Sequence, residues 1–72
     1  MTVKNLIERL SQMPQDSIVT VRGYEGGVNE VNNISAVKLH LNSNSKWYYG
    51  KHEIITDTDG WTNLVDGVHL SA

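Results

Sequence analysis

The chain reads as a small α+β protein, with an N-terminal helix packed on a three- to four-stranded antiparallel meander. Three observations carry that reading. Val3, Leu6, Ile7, Leu10 and Met13 recur at helical spacing, with Lys4, Asn5, Glu8, Arg9 and Gln12 filling the other face. Alternating apolar and β-branched residues then dominate two later runs, at 18–22 and 37–41. Clusters of Gly, Asn, Asp and Ser punctuate the chain after each run.

Taken in order, the helix is expected to start at Thr2, whose hydroxyl can accept an otherwise unpaired N–H. Asn5 stands where a capping box would have Glu or Gln, and is a weaker partner. Pro14 keeps Met13 out of the α region and has no N–H, so the helix should stop at Gln12 or Met13. After a turn through Gln15 and Asp16, Ser17 to Arg22 forms the first strand, and so short a connection sets the helix across one sheet face. Gly23 to Asn29 is a loop. Val31 opens a second extended region, with Val37, Leu39 and Leu41 on one side and Lys38 and His40 on the other. Asn42-Ser43-Asn44-Ser45 is a polar turn that closes a hairpin onto a third strand, Lys46 to Thr56, bent at Gly50. That strand would carry Trp47, Tyr48 and Tyr49 on both its faces. Asp57-Thr58-Asp59-Gly60 makes another turn before a short last strand around Val68 to Leu70, with a bend at Gly67.

Seventy-two residues suit one domain, close to the lower size limit for folding alone. There is no Cys, so neither a disulfide nor a thiolate metal site can staple it. Close packing, a metal held without thiolates, a ligand or self-association must do so instead. Trp47, Trp61, Tyr24, Tyr48 and Tyr49 offer more aromatic surface than a one-helix core uses, which points to a homo-oligomer.

The formal net charge is −2, with no run of either sign, so duplex nucleic acid is not an expected partner. Charge is nonetheless uneven. Residues 1–51 hold all six Lys and Arg with four acids, whereas residues 52–72 hold four acids and neither Lys nor Arg. This acidic stretch is either plain solvated surface or a face for a basic partner. The start lacks the apolar core of a signal peptide and no apolar stretch reaches membrane-spanning length, so a cytoplasmic protein without membrane attachment is expected.

The most suggestive chemistry lies in Arg22-Gly23-Tyr24-Glu25-Gly26-Gly27, which joins glycines able to bare N–H groups to an anion, a planar guanidinium and a flat phenol ring. Trp47 is a further candidate for stacking on a base. The competing reading is a hairpin connection whose glycines serve turn geometry. The loop is neither a G-x-G-x-x-G fingerprint, because no helix follows, nor a phosphate loop, because Lys-Ser/Thr is missing. His40, His52 and His69 lack the spacing of a local metal site, and the likeness of Asp57-Thr58-Asp59-Gly60 to a calcium loop fails at Trp61 and Val68. No Ser-His-acid order with a nucleophile turn and no recognisable paired-carboxylate motif is present. The expectation is a non-enzyme without cofactor or metal.

Residues 2–10, the Met13-Pro14-Gln15-Asp16 junction and Val19 to Gly27 with its Gly-Tyr-Glu-Gly-Gly loop resemble small proteins common in bacteriophage and prophage genomes. The likeness covers about the first 31 residues. It implies a counter-defence setting with two physical options. One is a sponge that sequesters a nucleotide-like signal, using Arg22 and the glycines for phosphate and Tyr24 or Trp47 for the base. The other is an anti-CRISPR-like blocker that covers a host defence protein through Glu53, Asp57, Asp59 and Asp66.

Overall fold

The structure, a computed structural model, describes residues 1–72 and is α+β, with one N-terminal helix and antiparallel strands in two sheets. Helix α1 spans Val3–Leu10, and the strands are β1 Thr20–Arg22, β2 Val28–Glu30, β3 Asn33–His40, β4 Glu53–Ile55 and β5 Val65–Ser71. β1 and β2 form a two-stranded sheet, while the second sheet has the order β4-β3-β5. The expected single meander is thus divided. The chain comprises two compact units, one of Met1–Asn33 with Leu70–Ala72, the other of Ile34–His69.

In the first unit, the start of α1 follows from the sequence. The Asn5 amide donates to Thr2 Oγ1 (3.1 Å) and the Thr2 amide donates to Asn5 Oδ1 (3.2 Å), so Asn5 completes the capping box in place of Glu or Gln. Regular α-helix ends at Leu10, two to three residues earlier than Pro14 alone requires. Tighter bonds from Gln12 N–H to Arg9 O (3.2 Å) and Met13 N–H to Leu10 O (3.1 Å) carry the turn onward, and Gln15 Nε2 donates to the Leu10 and Met13 carbonyls. Of the apolar stripe only Leu6 is half-buried; Val3, Ile7, Leu10 and Met13 stay between 41% and 62% exposed. The first strand begins at Thr20 and not at Ser17, because pairing with β2 runs only from Thr20↔Glu30 to Arg22↔Val28.

In the second unit, β3 pairs with β4 through Lys38↔Ile55, Leu39↔Ile54 and His40↔Glu53. That register corrects the expected hairpin. β4 starts only at Glu53, so residues 41–52 are a loop and Trp47, Tyr48 and Tyr49 lie in it, not on a strand. Asparagines hold the loop closed: the Asn42 amide donates to His52 Nδ1 (2.9 Å), the Asn44 amide to Lys51 O (3.2 Å) and Asn44 Nδ2 to Gly50 O (2.8 Å). His40, expected opposite Val37 and Leu39, is also half-buried, tilted against Trp61 with ring centroids 4.7 Å apart and bonded to Ser43 Oγ.

The last strand runs unbroken from Val65 to Ser71, and within it lies Gly67. It lets two strands approach: a Cβ there would sit 2.5 Å from Leu39 Cδ1 and 3.0 Å from Leu39 Cγ. Gly67→Ala should therefore lower stability by about 1–2 kcal/mol through overpacking. Thermal melting should show most of that loss recovered in the Leu39→Ala/Gly67→Ala double variant relative to Leu39→Ala, the sign expected when one side chain makes room for the other.

Candidate functional site

The Arg22–Gly27 loop is the connection between β1 and β2. The closing pair Arg22↔Val28 leaves five residues, Gly23 to Gly27, to reverse the chain. The Gly23 amide donates to Gly27 O (2.8 Å) and the Gly27 amide to Tyr24 O (3.1 Å), around a single 3-10 turn at Tyr24–Gly26. Glu25 lies in the left-handed region (φ 48°, ψ 48°) and Gly26 at φ +82°, a conformation glycine adopts without penalty and Glu does not.

This geometry revises part of the sequence reading. The amides of Gly23 and Gly27 close the loop, so those two glycines serve the turn and are not free to cradle an anion. What the loop presents outward is Tyr24, 88% exposed, beside an exposed Arg22 and the Glu25 carboxylate. A flat ring and a guanidinium, exposed two residues apart in the chain, suit a planar, anionic ligand, and the carboxylate can accept hydrogen bonds from amino or hydroxyl groups of that ligand.

Trp47 belongs to the second unit. It is 92% exposed and meets Tyr48 edge-to-face (centroids 5.6 Å, 87°), while Tyr48 and Tyr49 tilt together at 4.9 Å. Three consecutive aromatics thus meet in succession, edge-to-face and tilted, within a solvent-facing loop.

Sequence reasoning missed two concavities. In the second unit a groove of about 550 Å³ is lined by Val37, Ile54, Ile55, Gly67 and Val68, with Lys38 and Asp66 at its edge. Its one signal in the sequence is Gly67, whose missing side chain holds the strands close. In the first unit a groove of about 400 Å³ lies among Leu10, Met13, Pro14, Ile18 and Val19. Its residues were legible as apolar, but their assignment to helix stripe and strand implied that they would be covered.

The four acids of residues 52–72 all fall in the second unit. Only Asp66 has a cationic partner, Lys38 across the β3–β5 pair, whereas Asp57 Oδ1 accepts from the Asp59 amide (3.2 Å) in the expected turn. No group of three His, Asp or Glu side chains is placed to share a metal ion. No helix is long and apolar enough to cross a membrane.

Comparison with protein-family models, with curated proteins and with solved structures finds no match. The functional reading therefore stands on the residues and their geometry.

The hydrogen bond from Lys38, aided by its charge, holds the Asp66 carboxyl below its ordinary range. A depressed folded-state pKa means that the contact contributes above the unfolded carboxyl's pKa, about 3.9, and is lost as pH falls through the folded value. In a carboxyl-detected NMR titration the Asp66 midpoint should lie below that of a free Asp and rise toward it in Lys38→Met.

Proposed function

We propose that this chain is a non-enzymatic binding protein that works as a homo-oligomer in the cytoplasm and captures a small, nucleotide-like ligand without turning it over. The observation that carries the reading is the tip of the β1–β2 hairpin, a loop closed by its own backbone bonds that leaves Tyr24 nearly fully exposed, with Arg22 exposed at the end of β1. An aromatic ring left in water on a closed turn loses little entropy on stacking, and base–aromatic stacking contributes about 1–3 kcal/mol per base. Arg22 supplies the matching contact to phosphate. Trp47, at 92% exposure, offers a second stacking surface. The resemblance to phage proteins adds the setting, sequestration of a host defence signal.

One observation favours the alternative, a blocker of a host defence protein. Glu53, Asp57 and Asp59 have no cationic partner within the chain, so the second unit presents unneutralised carboxylates suited to a basic protein surface.

Titration calorimetry against cyclic oligonucleotides and ADP-ribose derivatives separates the two. Capture predicts heat with at least one of them, and Arg22→Ala should weaken it by about 10- to 100-fold while leaving the fold intact. Glu25→Gly relieves the left-handed backbone but removes an acceptor for the ligand's amino or hydroxyl groups, so the fold should persist while binding weakens. Silence across the whole panel, with salt-sensitive binding to a basic partner that Asp57→Asn/Asp59→Asn abolishes, would favour the blocker.

A further inference from the structure

We infer that the loop of the second unit from Lys46 to Lys51 binds single-stranded nucleic acid, with bases stacked on Trp47, Tyr48 and Tyr49 and phosphates paired with Lys46 and Lys51. The inference goes beyond the capture of a small ligand at the β1–β2 hairpin and shares only Trp47 with it.

Exposure of the rings is the first support. Trp47 is 92% exposed, and Tyr48 and Tyr49 are each 60% exposed. Their mutual contacts are edge-to-face or tilted, so no ring is covered by parallel stacking on the next. Flat faces are left for an outside partner. The whole run lies between β3 and β4, so this surface is built within the second unit alone.

The second support is that backbone bonds hold the loop in shape. The Tyr49 amide donates to Lys46 O (3.1 Å), which makes Trp47 and Tyr48 the two central residues of a turn. The Asn44 amide donates to Lys51 O (3.2 Å) and Asn44 Nδ2 to Gly50 O (2.8 Å), pinning the far side. Rings carried on a closed turn give up less entropy on binding than rings on a free tail.

Charge selects the partner. Residues 31–52 hold Lys38, Lys46 and Lys51 and neither Asp nor Glu. Lys38 is paired with Asp66, which leaves Lys46 and Lys51 as free cations, one at each end of the aromatic run. The matching ligand has flat apolar faces and spaced negative charges, and a single strand of nucleic acid supplies both. A duplex hides its base faces in the stack and calls for a broader basic face than two lysines. A neutral sugar has no use for the lysines. An anionic membrane would use them, but the loop adds no Leu, Ile, Met or Phe to the rings for entry into the acyl region.

Fluorescence anisotropy of labelled oligothymidylate and oligouridylate, each about 15 nucleotides long, tests this on the full chain. A duplex of equal length and phosphatidylserine vesicles serve as comparisons, and the two single strands separate DNA from RNA as the source. The expected result is binding of at least one single strand in preference to the duplex. Affinity should fall about 7-fold between about 50 and 200 mM salt, the loss for two neutralised phosphates, and only about 3-fold in Lys51→Gln. Trp47→Ala, which removes a ring left in water, should weaken binding about 5- to 100-fold, and Trp47→Phe should recover most of that. Lys4→Gln, which removes an exposed cation of the first unit, should change nothing. Absence of single-strand binding at about 50 mM salt, equal binding of the duplex, or indifference to Trp47→Ala would overturn the inference. Capture by vesicles without binding of either strand would overturn it in favour of a membrane. Silence toward cyclic oligonucleotides and ADP-ribose derivatives, with single-strand binding intact, would contradict the small-ligand reading and support this one.

Discussion

Apolar surface left open to solvent is the constraint on which the rest of this structure depends. Hydrophobic burial is the main force opposing the conformational entropy of about 1–2 kcal/mol per ordered residue. Here most of the side chains that should supply it, Val3, Ile7, Leu10 and Met13 of the helix stripe with Ile18 and Val19 after it, remain open to solvent. Backbone hydrogen bonds cannot take over that role, since each contributes only about 1 kcal/mol net. The local elements are set by a cap, turns and short ladders, while the apolar side chains beside them stay open.

Seen this way, the polar details have a clear division of labour. Thr2 and Asn5 set where the helix starts, Gly23 and Gly27 set how the first hairpin reverses, and Asn42 and Asn44 tie the long loop to residues 50–52. These contacts select conformations without providing a driving force. Gly67 does something different, by allowing β3 and β5 to approach until Leu39 occupies the space a side chain would fill. The function proposed for the chain uses what these devices leave outside: an aromatic ring and a guanidinium on one tip, and unpaired carboxylates elsewhere.

Much of this was legible in the sequence wherever a local rule decides the outcome. The helix start, the break near Pro14, the glycine loop and the Asx turn at Asp57 follow from capping, φ restriction and turn chemistry within a few residues. Strand extents were less legible, because Ser17 to Val19 has strand propensity but no partner beyond the single bond from Val31 N–H to Val19 O. Trp47-Tyr48-Tyr49 misled for the same reason: aromatic residues favour strands, yet the register His40↔Glu53 leaves them in the loop. The role of Gly67 was hidden because a bend and a close approach call for the same residue. The candidate loop was visible as a loop, but nothing in six letters shows that two of its amides close the turn.

The proposed homo-oligomer would couple folding to assembly. Thermal unfolding followed by circular dichroism over a hundredfold range of protein concentration tests it most directly. Coupled folding predicts a midpoint that climbs steadily with concentration and a helical signal that fades on dilution. A midpoint and signal that stay constant across the range would contradict it, because a chain whose fold is complete within itself has no such dependence.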